Sequence, residues 1–314
     1  MNGKSKFKIA VVGIGGVGGY VGGKLAARFE DSDLVEVVLA ARGANEQVIR
    51  ENGLKLITTK GEQVVKPNLA AAAQLGEPDL LILCTKEYDL EESVASLKDS
   101  IGSQTAILPL LNGVDTRERI ARVLPGAEIW QGCIYIISAL VSPGVVEESG
   151  NVCLVYFGDG KAENEKTPAV ETLFREAGID AHLTKDIEAR IWEKFVFISA
   201  LAASTSYLNA RIGEIINNPE NKNLLNDLLA EIKQLAKAKN IAISEDAVQQ
   251  KIDGLRNVPP GATSSMQRDF SRGHRAELQS LVGYVVAQAR ALNVPTPVYE
   301  KVYGELVKKL EQAA

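Results

Sequence analysis

The sequence predicts an α/β N-terminal half built on a mostly parallel sheet, followed by an all-α C-terminal half. Up to Thr184, short apolar runs alternate with amphipathic or turn-rich segments, the pattern of stacked β-α-β units. From Lys185 onward glycines become sparse, and apolar residues recur with the roughly 3.6-residue period of helices. A chain of 314 residues can enclose two cores, and the change of texture divides it into domains 1–185 and 186–314.

Lys8 to Val12 reads as the first strand. Gly15 to Phe29 reads as the helix after it, because Tyr20, Val21, Leu25 and Phe29 recur at helical spacing. Leu34 to Ala41 is a second strand, and Leu54 to Ile57 with Val64 to Lys66 forms a small hairpin around Lys60-Gly61. Asp79 to Cys84 and Thr105 to Leu111 are unbroken apolar runs, as expected of strands covered on both faces. Ile129 to Ser138 is β-rich. Beyond it, Pro143-Gly144, Gly150 and Gly158 to Gly160 punctuate three shorter strands ending near Thr184. In the helical half, Asn218-Pro219 supplies an N-cap and first-turn signal ahead of a stripe of Leu225, Leu228, Leu229, Ile232 and Leu235. Leu278, Leu281, Val282, Val285, Ala289 and Leu292 form a second stripe. A third helix starts at Thr296-Pro297 and runs through Val302, Leu306 and Leu310. Such stripes are packing faces.

Composition narrows the function classes. With 46% apolar and 24% charged residues the chain is neither disordered nor fibrous. Thirty-five Lys and Arg stand against 40 Asp and Glu, and a net charge of -5 gives no electrostatic reason to expect nucleic acid. A small molecule is the expected ligand. Cys84, Cys133 and Cys153 lie in apolar, β-rich stretches without metal-ligand or C-x-x-C spacing, and read as buried free thiols in a reducing compartment. MNGKSKFK leads directly into a strand without the apolar core of a secretory signal, and no apolar run approaches the ~20 residues of a membrane span. A cytoplasmic protein is expected.

Gly13-Ile14-Gly15-Gly16-Val17-Gly18 satisfies G-x-G-x-x-G between the first strand and the first helix, and all six are candidate cofactor-binding residues. Gly13 permits a tight turn, Gly15 lets a pyrophosphate approach the backbone, and Gly18 lets helix pack on strand, so the helix N-terminus faces the phosphates. This is the signature of a Rossmann-like domain. At the end of the second strand an NAD site places an acid for the ribose 2′-hydroxyl, whereas this chain has Arg42, whose guanidinium suits a 2′-phosphate. NADPH/NADP is therefore the expected cofactor. Lys86 and Asn112 follow two of the apolar strands, where ligands of such sheets bind. The Asn112 amide can both donate and accept, which suits a nicotinamide carboxamide or a catalytic partner, although Asn112-Gly113 is equally a turn signal.

Arg190-Ile191-Trp192-Glu193-Lys194-Phe195 opens the helical half. A lysine among Trp192, Phe195, Val196 and Phe197 is less hydrated than a surface one, which eases release of its proton toward a developing alkoxide. A lysine laid along an apolar surface explains the same pattern.

Read together, the segments resemble the ketopantoate reductase (2-dehydropantoate 2-reductase) family over nearly the whole chain. They are GIGGVGG from Gly13, AARG at Ala40 to Gly43, CTK at Cys84 to Lys86, LNGV at Leu111 to Val114, SPGVVEESG at Ser142 to Gly150, WEKF at Trp192 to Phe195, and SSMQRDFSRGHRAELQSLVG at Ser264 to Gly283. The resemblance implies an α/β Rossmann-like N-terminal domain followed by an all-α C-terminal domain, with NADPH and a keto-acid substrate in the cleft between them. It implies reduction of 2-dehydropantoate to pantoate, in pantothenate biosynthesis, by a homodimer without a metal. Lys194 would be the general acid that protonates the ketone oxygen, and Asn112 would position that lysine and contact cofactor or substrate. Glu277 would hydrogen-bond the substrate hydroxyl or the lysine, and Ser265 would bind the substrate carboxylate.

The chain departs from the family pattern at four places. Ile198 and Ala202 stand one and two turns beyond the lysine where the family carries asparagines, and Ile212 and Ala262 replace two more. Four lost amides remove hydrogen bonds typically worth about 1 kcal/mol each, so a less polar keto acid or another ketone is the alternative substrate. A non-catalytic NADPH-binding regulator is the alternative from another class. Lys194 and Glu277 argue against it, because a sensor needs neither.

Overall fold

The computed structural model describes residues 6–159, 166–259 and 261–313. The chain begins with β1 (Phe7–Val12), α1 (Gly16–Arg28), β2 (Val35–Ala40), α2 (Gly43–Asn52), β3 (Leu54–Thr58), β4 (Gly61–Val65), β5 (Asn68–Leu69) and β6 (Leu80–Leu83). It continues with α3 (Leu90–Ser96), β7 (Ala106–Pro109), α4 (Thr116–Val123), β8 (Glu128–Ile129), β9 (Gln131–Ser142), β10 (Val145–Gly158), α5 (Lys166–Glu176) and β11 (Asp180–Leu183). Helices alone come after β11: α6 (Ile187–Leu208), α7 (Ile212–Asn217), α8 (Pro219–Ala238), α9 (Glu245–Gly254), α10 (Ser265–Ser271), α11 (Tyr284–Ala291) and α12 (Pro297–Ala313). Contacts divide the chain into two compact units, one holding the chain through Leu111 with Asp115–Ile187, the other Asn112–Val114 with Glu188–Ala314.

In the first unit a six-stranded sheet has the order β5-β2-β1-β6-β7-β8, and every pairing in it is parallel. Ile9, Ala10, Val11, Leu80, Ile82 and Leu83 are fully buried, which is why these strands read as unbroken apolar runs rather than alternating ones. The chain leaves β1 for β2 and β5, then returns to β6 on the other side of β1. The carboxyl ends of β1 and β6 thus flank the point where strand order reverses, the place where such sheets bind ligands.

A second sheet, β11-β10-β3-β4 with β9 paired to β10, corrects the sequence reading. The three short strands expected before Thr184 are instead a long hairpin, β9 and β10, turning at Pro143-Gly144, followed by α5 and β11. Gly150 does not end a strand: it falls where the register shifts between Glu148 and Cys153, with Asn151 in the left-handed region at φ 50. The helix α5 is hard to read because its buried face amounts to little more than Val170 and Phe174, behind a proline in its first turn. Gly160 lies outside the described residues.

In the second unit Leu225, Leu228, Leu229, Ile232 and Leu235 all enter one core with α11 and α12. Asn218 caps α8 by accepting from the amides of Glu220 and Asn221. Glu231 on α8 accepts the amides of Val298 and Tyr299 at 2.8 and 2.9 Å, satisfying the first turn of α12. The second apolar stripe does not begin as an α-helix; its first turn, Gln279–Gly283, is a π turn. None of the three cysteines forms a disulfide; Cys133 is buried, while Cys84 and Cys153 are only half-buried. No described helix is long and apolar enough to cross a membrane.

Candidate active site

The turn after β1 can be occupied only by glycine at several points. Gly13 has φ +89, and a Cβ there would lie 2.6 Å from the backbone of Cys84 and Thr85. A Cβ on Gly16 would lie 2.7 Å from the Ser138 carbonyl oxygen, and one on Gly18 only 2.2 Å from the Gly13 carbonyl oxygen. Gly15 differs, since a Cβ there would meet nothing within 4 Å. Open space therefore lies over Gly15, which is also the N-cap of α1 and offers no side chain to the helix's first amides. Free N–H groups at a helix N-terminus carry partial positive charge and suit a phosphate. The loop fits a dinucleotide. Ile14 and Val17 send their side chains into the core, so their contribution to a ligand is the backbone.

Arg42 is the N-cap of α2 and is exposed; among the described residues its guanidinium has no hydrogen-bond or ion-pair partner. Lys86 follows β6 and is half-buried. Three further residues at this site are not singled out as functional by the sequence. The Asn45 amide donates to the Ile14 carbonyl at 2.7 Å and accepts from the Gly144 amide at 2.7 Å, so it ties α2, which starts beside Arg42, to the glycine loop and to the β9–β10 turn. Thr85 and Ser138, whose backbones touch that loop, have buried hydroxyls without a hydrogen-bond partner. Burial pushes the neighbouring Cys84 thiol up to about 12, so it stays protonated at neutral pH.

In the second unit, Lys194 sits in the second turn of α6 and is 6% exposed. Its ammonium donates to the Asn112 side-chain oxygen at 2.8 Å. Two sequence-predicted residues are thus brought together. Asn112 precedes Gly113 at φ 120, and Val114 anchors this short segment in the helical core. Glu193, next along the helix, does different work: its carboxylate accepts from Ser244's amide at 3.1 Å and from Arg190 at 3.1 Å, holding the start of α9. Trp192 and Phe195, on either side in the sequence, pack edge to face with centroids 5.7 Å apart. Glu277 is 5% exposed and stands just before the π turn.

The family model described as ketopantoate reductase PanE/ApbA matches residues 9–161, and its C-terminal counterpart matches residues 186–311. The chain belongs to the ketopantoate reductase family. It is thus an oxidoreductase acting on a CH–OH group. A 2-dehydropantoate 2-reductase of Mesorhizobium japonicum is 30% identical over 96% of this chain and 97% of the relative. An uncharacterized oxidoreductase of Bacillus subtilis, YkpB, is 27% identical over 95% and 97%. The crystal structure of 2-dehydropantoate 2-reductase from Porphyromonas gingivalis W83 superposes with a TM-score of 0.84 at 37% identity, covering 96% of this chain and all of that one. D-mandelate dehydrogenase with NADH and anilino(oxo)acetate, 21% identical, shares the fold with a TM-score of 0.88 over 98% and 99% of the two chains.

Ser264 and Ser265 have different surroundings. Ser264 caps α10, accepting from the Gln267 amide at 3.1 Å, and its hydroxyl meets that of Thr205 at 2.8 Å. Ser265 begins the helix and is half-buried. Of the four residues at which the resemblance implies asparagines, Ala202 and Ile212 are buried in the helical core, and Ile198 and Ala262 pack against it. The Ile212 amide also donates to the Ala262 carbonyl at 2.9 Å, so these two apolar replacements are neighbours.

Proposed function

We propose that the protein reduces a 2-keto acid to a 2-hydroxy acid with NADPH, and that 2-dehydropantoate is its leading substrate. The observation that carries this reading is the buried Lys194 ammonium held by the Asn112 side-chain oxygen at 2.8 Å. An ammonium that spends one N–H on this acceptor has others left, and can give a proton to an oxygen that becomes an alkoxide. NADPH, when bound, supplies the hydride. The glycine loop at Gly13 to Gly18 would hold its pyrophosphate on the first amides of α1, Arg42 its 2′-phosphate, and Lys86 and Asn112 its nicotinamide half. Glu277 would accept from the substrate hydroxyl or steady Lys194, and Ser265 would donate to the carboxylate. In this reading residues 1–185 serve the cofactor and 186–314 the substrate, Asn112 excepted.

A second reading keeps the chemistry and changes the substrate. Ile198, Ala202, Ile212 and Ala262 all pack in the apolar core of the helical unit, which favours a keto acid with a less hydroxylated side chain. Consumption of NADPH, followed by absorbance over a panel of 2-keto acids, tests both. Turnover greatest with 2-dehydropantoate supports the first reading, turnover greatest with an apolar 2-keto acid supports the second, and no turnover with any 2-keto acid rejects both.

A further inference from the structure

The proposed chemistry leaves one irregularity of the helical unit unused. Just beyond Glu277 the chain makes its π turn, Gln279–Gly283, in which the Tyr284 amide reaches back to the Gln279 carbonyl. Such a turn inserts one residue into the helical path and rotates the residues before it against those after it by about 100°, one residue's share of an α-turn. It therefore decides which way Glu277 is presented. The wider turn is a rare conformation, and here three sets of contacts hold it.

Ser199 on α6, fully buried, donates its hydroxyl to the Leu281 carbonyl in the middle of the turn at 2.6 Å, and its oxygen lies 2.8 Å from the Tyr299 hydroxyl of α12. Tyr303, also on α12, donates to the Gln279 side-chain oxygen at 2.6 Å. Gly283 leaves room for that amide, because a Cβ there would stand 2.5 Å from the same oxygen. Trp192 and Phe195, which flank Lys194, pack on Tyr284, the first residue after the turn, with centroids 6.4 and 5.7 Å away. The helix that carries Lys194 thus grips the turn in its middle and at its end.

We propose that Ser199 is a positioning residue for Glu277: its hydroxyl pins the π turn to the lysine helix and so sets the orientation of the carboxylate relative to the reacting carbonyl. The inference rests on the reading of Lys194 and Glu277 as groups that meet the substrate. Loss of the hydroxyl lets the turn relax toward an ordinary α-helix, whose register turns Glu277 away.

The test compares Ser199→Ala, Ser199→Thr, Glu277→Gln and the double variant Ser199→Ala/Glu277→Gln, with NADPH and the best 2-keto acid of the panel. Ser199→Ala should lower kcat by about 10- to 100-fold, the scale on which misplacement by roughly 1 Å acts, while NADPH affinity stays parental. Ser199→Thr, which keeps the hydroxyl, should recover most of the loss. The double variant should be no slower than Glu277→Gln alone, since two changes acting through one group do not multiply. Amide hydrogen exchange over Leu281–Tyr284 should quicken in Ser199→Ala. A lowered melting temperature with parental kcat and parental exchange overturns the proposal, as do losses that multiply in the double variant. If Ser199→Ala does not fold, Tyr303→Phe, an exposed contact on the same turn, replaces it with the same expectations, and parental kcat there is equally fatal. Parental turnover in Glu277→Gln removes Glu277 from the mechanism and the proposal with it, whereas a deficit in Glu277→Gln beside a parental Ser199→Ala overturns the proposal alone.

Discussion

The Lys194 ammonium and the Asn112 side-chain oxygen meet at 2.8 Å across 82 positions of sequence. Neither residue has a local reason to find the other: one sits on a long helix, and the other follows a strand of the parallel sheet. A lysine buried to this degree needs an acceptor, because an ammonium removed from water without one is costly. Asn112 supplies one at its side-chain oxygen. Lys194→Ala should therefore lower kcat by roughly 10²- to 10⁴-fold, the usual range for general acid–base catalysis, while the dissociation constant of NADPH barely changes. Lys194→Arg should not rescue, since guanidinium is a poor proton donor near neutral pH. Steady-state kinetics beside fluorescence titration checks both, and near-parental turnover in Lys194→Ala would remove it from the mechanism.

Arg42 carries the cofactor prediction. It stands exposed at the N-cap of α2, and no acid replaces it at the end of β2. NADPH should bind more tightly than NADH, and Arg42→Ala should erase most of the difference, on the order of 10- to 100-fold for lost charge-assisted hydrogen bonds. Isothermal titration of both cofactors against both proteins measures it. Equal affinities in the parent protein would show that Arg42 does not read the 2′-phosphate.

Much of the fold and the site is legible in the sequence, for reasons that differ by element. β1, β6 and β7 announce themselves as apolar runs because helices and a second sheet cover them, and the glycine loop is legible because Gly13 and Gly18 tolerate no side chain. The β9–β10 hairpin is misread from sequence because Gly150 looks like a terminator, while the strand passes it with a register shift. The π turn leaves no mark, since Leu278, Leu281, Val282 and Val285 keep a helical spacing whichever way the turn is wound. Asn45, Thr85 and Ser138 reach the glycine loop only through non-local packing. Even the pairing of Asn112 with Lys194 is implied only by family resemblance, because no local rule joins a turn to a distant helix.

Ala202 offers a direct test of substrate choice. It is 3% exposed within the helical core, two turns beyond Lys194. Ala202→Asn places an amide where the family resemblance has one, so kcat/KM for 2-dehydropantoate should rise relative to an apolar 2-keto acid. The same change buries a polar group with no partner when substrate is absent, and should cost about 1–3 kcal/mol of stability. Kinetics on the two substrates, with thermal melts with and without 2-dehydropantoate, separate these effects. An unchanged substrate ratio would mean that this position does not face the substrate.

Three weak acids of the first unit, Tyr20 buried and Cys84 and Cys153 half-buried, predict how stability responds to alkali. Burial pushes the thiols of Cys84 and Cys153 from the usual 9.0 up to about 12, and burial, aided by the nearby Cys153 and Glu148, pushes the Tyr20 hydroxyl from 10.0 up to about 12. Each group is favoured in its protonated form by the folded state. Below about pH 9 both folded and unfolded chains keep these protons, and the contribution to stability is full. As pH rises past the unfolded values, the unfolded chain releases protons that the folded chain still holds, so unfolding becomes progressively easier until the folded groups titrate near pH 12. The melting temperature should accordingly be flat near neutral pH and fall between about pH 9 and pH 11, with the fall reduced in Cys84→Ala/Cys153→Ala. Alkylation by iodoacetamide at mildly alkaline pH should be slow at both thiols, because the thiolate is the nucleophile. Rapid labelling at Cys84 in the folded protein, or a melting temperature insensitive to pH across that window, would show that burial does not hold these protons in place.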